Sequence, residues 1–165
     1  MEFEEKLIYQ TYINNSFNFF DHPSKMVRDF QNKNKNILWY NNLNVNHEGG
    51  SRLLNAEKPL KVKKIRVWTS DVFWNFSNRP ETVISSGKGL DLPANSEFRY
   101  PDLPPFCIVI YQVDGISSAI TSSNSRDALI LEMDELKDIF VCINDKRGRY
   151  SKNSGAFDLN IEVLE

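Results

Sequence analysis

The sequence predicts an all-β domain, a small antiparallel β-sandwich over residues 39–165, preceded by a partly helical N-terminal arm over residues 1–38. Three observations carry this reading. Short apolar runs recur after Trp39, and the last alternates strictly: Phe157, Leu159, Ile161 and Val163 are interleaved with Asp158, Asn160 and Glu162. Alternation of period two marks a strand with one buried face. The runs are separated by turn-forming clusters at Gly49-Gly50, Gly87-Lys88-Gly89, Pro101 to Pro105, Asp114-Gly115 and Ser151 to Gly155. No long stretch after Trp39 shows helical periodicity, so the apolar sheet faces must cover each other, as they do in a sandwich.

Bulk properties bound the rest. A chain of 165 residues fits one domain plus an arm. With 41% hydrophobic and 25% charged residues it can fill an ordinary core and is not globally disordered. Twenty Lys and Arg against 22 Asp and Glu leave a net charge of −2, which argues against whole-surface attraction to nucleic acid or anionic lipid. No apolar run approaches the roughly 18 residues of a membrane helix, and the start Met1-Glu2-Phe3-Glu4-Glu5 is acidic where a secretory signal is basic. No membrane insertion and no classical export signal are expected, and the compartment is left open.

The arm is rich in Asn and aromatic residues. Phe3, Leu7 and Ile8 recur at helical spacing, and Asp21-His22-Pro23-Ser24 is expected to open a short helix carrying Met26, Val27 and Phe30. The polar run Gln31 to Asn36 reads as a linker or exposed turn. An arm this aromatic must be covered, by its own domain or by a partner, and docking on a neighbouring subunit of a homo-oligomer or on a partner domain is the expectation. In the domain, Val62, Ile65 and Val67 interleaved with Lys61, Lys63, Lys64 and Arg66 mark one strand. Cys107 to Val113 and Ile139 to Ile143 mark two more, and their apolar context makes Cys107 and Cys142 buried thiols rather than a disulfide.

Familiar catalytic patterns are missing. Any Ser-His-Asp or Cys-His arrangement must use His22 or His47, and neither neighbours a nucleophile motif. His47-Glu48-Gly49-Gly50 lacks the second His of a zinc-protease helix, and Gly87-Lys88-Gly89 lacks P-loop spacing. Asp and Glu residues read as surface charge, although a glycosidase-type pair would show only in three dimensions. A non-catalytic protein is expected.

The stretch from Ile143 to Phe157 is the most informative. It joins two strands by a loop offering the Asp145 carboxylate, the amide oxygens of Asn144 and Asn153, the Ser154 hydroxyl and backbone carbonyls. Such a loop suits a hard cation such as calcium, which takes six to eight oxygens at roughly 2.3–2.6 Å; it equally suits a hydrated hairpin whose Asn and Asp support turns.

Here the sequence resembles the calcium-dependent galactophilic bacterial lectins of the PA-IL (LecA) type. Asn144-Asp145, Gly148, Tyr150, Asn153-Ser154-Gly155, Phe157 and Asn160-Ile161 follow the order of that family's closing loop and strand. Trp39, Glu48 and Gly50 sit as in its opening strand and turn, and a looser likeness runs through Ile65 to Thr69, Tyr100-Pro101-Asp102 and Phe106 to Val113.

The resemblance implies a small β-sandwich in which a calcium ion bridges protein and galactose hydroxyls. By position, Asp145 would supply a carboxylate ligand, Arg149 a backbone carbonyl and Asn153 a side-chain oxygen, with a further carbonyl from the Asn75 to Asn78 region. Lys152 replaces the first Asn of the family's Asn-Asn pair. An ammonium has donors only and cannot ligate calcium, so it either turns to solvent above a weakened site or pairs with Asp145 in place of the metal. The nearby Lys146, Arg147 and Arg149 favour the pairing, and a weak or lost calcium site is expected.

Tyr100 and Asp102 match the family's sugar-side His-Pro-Asp motif, so Tyr100 either stacks on a sugar or anchors a Pro-rich loop. Phe73, Trp74 and Phe76 are either a carbohydrate platform or core. A rival function rests on Lys58, Lys61, Lys63, Lys64 and Arg66, which with the loop cations form a patch for nucleic acid or an acidic protein, unless they are strand-edge lysines that block aggregation. Carbohydrate binding is the leading expectation, and a protein-interaction or nucleic-acid-binding module on a lectin-like sandwich that has lost its sugar site is the alternative.

Overall fold

The computed structural model describes residues 20–21, 26–28, 37–54, 63–77, 79–113, 115–132 and 139–164. Strands β1 (Phe20–Asp21), β4 (Ser51–Leu54), β7 (Ile108–Gln112), β8 (Ser117–Ala119) and β10 (Ile139–Ile143) form one sheet in the order β1-β4-β10-β7-β8. The second contains β2 (Met26–Arg28), β3 (Ile37–Asn44), β5 (Lys64–Asn75), β6 (Val83–Ile84), β9 (Leu129–Glu132) and β11 (Ser154–Val163). Its order is β2-β3-β11-β5-β6, with β9 on the first half of β5. All pairings are antiparallel except that of β1 with β4.

The two sheets share one core, the layout of a β-sandwich. Leu38, Tyr40 and Leu43 of β3, Ile65 and Val67 of β5, and Phe157, Leu159 and Ile161 of β11 meet Ile108 and Ile110 of β7 and Ile139, Val141 and Ile143 of β10. Every residue of β10 is buried, because the opposite face of its sheet is also covered. There Cys107, Val109, Tyr111, Phe140 and Cys142 pack beneath Tyr100 and Leu103. This double cover explains the continuous apolar runs that a half-buried strand would not need. Both cysteines are free and buried, and burial, the largest influence, pushes each thiol up to about 12, so both stay protonated.

Two expectations are corrected. Met26 and Val27 are not helical: they form β2, in register with Tyr40 and Trp39. The backbone ladder satisfies the open edge of β3, which a helix laid there could not do. Phe30, the Gln31 to Asn36 run, Val62 and the first nineteen residues lie outside the described residues. Asp158, on the polar side of the alternation, is only 6% exposed. Both neighbours of β11 lose register beside it, β3 next to Asn42 (φ 54°) and β5 next to Asp71 (φ 47°). The Asp158 carboxylate fills the resulting bulge, accepting the Asn42 N–H at 2.9 Å and the Trp39 indole N–H at 3.1 Å.

The turn before β4 requires glycine. Gly50 has φ +74°, and a Cβ there would lie 1.9 Å from the Val141 carbonyl oxygen. Gly50→Ala is expected to destabilise the fold by at least about 2 kcal/mol, from the left-handed backbone alone and from displacement of β10. An unchanged urea midpoint would show that this turn does not fix the approach of β4 to β10.

Candidate functional site

The loop from β10 to β11 is set by Asn144, which is fully buried. Its amide nitrogen donates to the carbonyls of Tyr100 (2.9 Å), Leu103 (3.1 Å) and Pro104 (2.9 Å), and its amide oxygen accepts the Tyr100 N–H at 2.9 Å. Backbone bonds extend the clasp: Phe106 N–H to the Asn144 carbonyl at 2.7 Å, Asn144 N–H to the Cys107 carbonyl at 2.8 Å, and Arg99 N–H to the Asp145 carbonyl at 3.0 Å. The Tyr150 hydroxyl donates to the Ile143 carbonyl at 2.7 Å and accepts the Asp145 N–H at 3.1 Å. Gly148 N–H donates to the Glu48 carboxylate at 2.9 Å, tying the loop to the turn before β4.

Asp145 therefore points inward, 3% exposed. One carboxylate oxygen accepts the Lys146 N–H at 2.6 Å and the other the Asn153 amide N–H at 2.9 Å. The same Asn153 nitrogen donates to the Val45 carbonyl at 3.0 Å, which leaves the buried Asn153 amide oxygen without a hydrogen-bond partner. Burial raises the Asp145 carboxyl above its ordinary value, against the opposing pull of the Asn153 and Lys146 donors and the Lys146 and Arg149 charges.

Above this carboxylate lies a cavity of about 420 Å³ lined by Phe76, Ser77, Arg79, Phe106, Asp145, Lys146, Arg149 and Lys152. The Phe76 and Phe106 rings stack at 4.0 Å and 5°, and Phe106 holds a positive φ of 62°, uncommon for a bulky residue. A neighbouring hollow of about 380 Å³ shares Lys146 and Arg149 and adds Arg147, Ser96 and Glu97.

The fold thus gathers Asp145, Arg149, Lys152 and Phe76 around one space, with Asn153 holding Asp145 from beneath. Other residues singled out in the sequence do not line it. Trp74 is 1% exposed and sits edge-on to Phe106 and Phe76, so it is core and no platform. Tyr100 is half-buried on the far face of the other sheet, 6.1 Å from the Tyr111 ring, with the Arg99 guanidinium over both rings. Asp102 is exposed in the adjoining turn. Asn144 binds the Tyr100 backbone on both sides, so Tyr100 anchors the loop, and its ring does not line this cavity. Phe73 is 67% exposed, on the face of β5 opposite Trp74.

The Lys152–Asp145 ion pair expected from the sequence is not formed. The Asn153 amide N–H and the Lys146 backbone N–H occupy both carboxylate oxygens, and Lys152 is exposed. Phe106 was hidden in the sequence inside an apolar run read as strand. Arg79 lies in the segment bordering the site, but only the fold turns it toward the loop.

The donor set fits calcium poorly. Asp145, whose two oxygens already accept internal N–H bonds, and the free amide oxygen of Asn153 are few side-chain oxygens for an ion that takes six to eight, and four cationic side chains share the space. No group of three or more His, Cys, Asp or Glu suited to a metal occurs among the described residues. The basic stripe on β5 is partly neutralised: Arg66 pairs with Glu162 at 2.7 Å and Lys64 with Glu132 at 3.8 Å, while Lys58 and Lys61 lie outside the described residues. The chain matches no protein-family model and no curated protein.

Two outcomes follow from this geometry. Asn144→Asp removes the side-chain donor shared by three carbonyls, of which those of Tyr100 and Pro104 keep the N–H groups of Leu103 and Cys107, and sets a buried carboxylate against them, so a loss of about 3–5 kcal/mol is expected at neutral pH. Its raised folded-state pKa means that the loss shrinks as pH falls toward the unfolded value near 4; denaturant melts across pH check the trend, and a pH-independent loss would contradict it. In carboxyl-carbon NMR titrations, Asp145 and Asp158 are both expected to titrate above the ordinary aspartate value. Burial is the largest cause in each, and Asp71 adds to it at Asp158. Protonating either group favours the folded state, so their share of stability is fullest in acid and declines as pH rises through the folded midpoints.

Proposed function

We propose that this chain is a divergent relative of the calcium-dependent galactophilic lectins that binds a glycan without catalysis and without a metal bridge. The observation that carries the reading is the cavity built on the Asn144-Asp145 loop, with a stacked aromatic pair beside hydrogen-bonding side chains. A pyranose presents an apolar C–H face and a rim of hydroxyls, which aromatic rings and polar groups can meet together. A volume of about 420 Å³ holds one or two sugar rings and falls in the usual range of ligand sites, roughly 300–1,000 Å³.

The absence of a catalytic role is argued from the lining. Asp145 is the one carboxylate among the lining residues, its oxygens are engaged, and glycoside hydrolysis ordinarily takes two carboxyl groups flanking the bond. A nucleic-acid or protein-interaction module is the competing reading, and the pairing of Lys64 and Arg66 with cross-strand carboxylates weakens its basis on β5.

Melting the protein in chelator and in millimolar calcium is expected to give the same Tm, whereas a ligand at about 100 times its Kd would stabilise by roughly 2.7 kcal/mol. A calcium shift that disappears in Asp145→Ala would overturn the metal-free reading. Glycan binding measured in chelator is expected to fall at least tenfold in Phe76→Ala. Loss of binding steeply with salt but without competition by any sugar would favour the interaction module.

A further inference from the structure

We propose that the cavity selects an acidic sugar, a pyranose bearing a carboxylate or sulfate, held through that group by Arg149 and Lys152. The proposal rests on the glycan-binding reading and names its ligand class.

Charge is distributed unevenly in this molecule. The chain carries a net −2, yet Arg79, Lys146, Arg149 and Lys152 all line one cavity, against the single carboxylate of Asp145. Asp145 makes no direct ion pair with any of them among the described residues; its oxygens accept an internal backbone N–H and an amide N–H. Lys146 reaches Glu97 at 3.2 Å and Arg79 reaches Glu81 at 3.7 Å, but both carboxylates are 65% exposed, where such pairs are weak. Arg149 and Lys152 make no ion pair among the described residues, and both are exposed.

Like charges gathered at a concave surface repel one another, and they create a field that an incoming anion relieves. Arg149 adds a planar fork that matches a carboxylate or sulfate with two parallel hydrogen bonds, and Lys152 a compact charge beside it. The half-buried Phe76 ring, with the buried Phe106 ring stacked behind it, makes a bare inorganic anion an incomplete occupant, since its outer side offers apolar area that a carbon skeleton would cover. An anionic group on a sugar ring satisfies both features.

Calorimetric titration in chelator separates the outcomes, using methyl pyranosides of the galacto and gluco series as neutral sugar, uronate and 6-sulfate, with inorganic sulfate alongside. The charged sugars are expected to bind at least tenfold more tightly than their neutral counterparts and to weaken as salt rises. Whether uronate or sulfate binds better identifies the anion. Arg149→Gln and Lys152→Gln should each lose most of the preference, with an unchanged Tm showing that the fold persists. Lys63→Gln, an exposed cation at the far end of β5, should keep it. Equal affinity for neutral and charged sugars overturns this proposal and leaves the glycan-binding reading standing. Sulfate binding as tightly as any sulfated sugar, or no sugar binding at all, overturns both.

Discussion

The site depends on the burial of one amide. Asn144 has no contact with water, and its side chain must meet every polar demand it creates inside the protein. It does so against the backbone of the Tyr100 to Pro104 loop, binding Tyr100 from both sides and reaching on to Leu103 and Pro104. Because Asn144 is also the first residue after β10, the same contacts fix the Pro-rich loop to the end of the central strand. Phe106 is then delivered to the cavity in its unusual backbone conformation by the bond from its N–H to the Asn144 carbonyl. Replacing this amide with an apolar side chain would take the side-chain donor from the Tyr100, Leu103 and Pro104 carbonyls, loosening the Pro-rich loop that leads into Phe106.

A second constraint follows one residue later. Asp145 is drawn inward by the Tyr150 hydroxyl, which takes its N–H, and by Asn153, whose amide donates to the carboxylate. A buried carboxylate is costly unless donors surround it, and here the chain supplies them itself. That internal solution separates Asp145 from the cations above it. The result is a carboxylate committed to the fold and a set of positive charges left for the cavity.

Much of the fold was legible in the sequence. The strict alternation from Phe157 to Val163 identified β11, and the apolar runs ending at Val113 and Ile143 identified β7 and β10, because periodicity and burial are local signals. The face on which a residue lies was harder to read. Trp74 near the end of β5 and Phe76 just beyond it are two positions apart and both meet Phe106, yet one is core and the other opens on the cavity, a distinction decided by where Phe106 arrives from the loop before β7. That the backbone of Tyr100 is clasped by Asn144, forty-four residues away, is a long-range contact with no local signal. Met26 and Val27 carried apolar spacing compatible with a helix, and the demand of the β3 edge for backbone partners decided otherwise. Lys152 was legible as an obstacle to calcium, and Asn153 as a neighbour of Asp145, but not that its amide nitrogen rather than its oxygen would meet the carboxylate, since which end of an amide faces a partner carries no signature in sequence.

The contrast between Asp158 and Asp145 shows how this sandwich handles buried carboxylates. Both lie on or beside β11 and are nearly inaccessible, and burial raises the pKa of each. Asp158 is met by a backbone N–H and an indole in a double bulge, with no cation paired to it among the described residues, and it holds β3 against β11. Asp145 is met in the same way, by a backbone N–H and an amide, although four cationic side chains surround the same cavity. If neutralising Asp145 were the reason for those cations, one would be expected at hydrogen-bond distance, since a charged donor gives the stronger bond. Neutral donors hold the position instead. The charges of Lys146 and Arg149 favour the carboxylate from a distance, but no cation is taken up in an ion pair with it among the described residues, so the hydrogen-bonding capacity of Arg149 and Lys152 stays with the cavity.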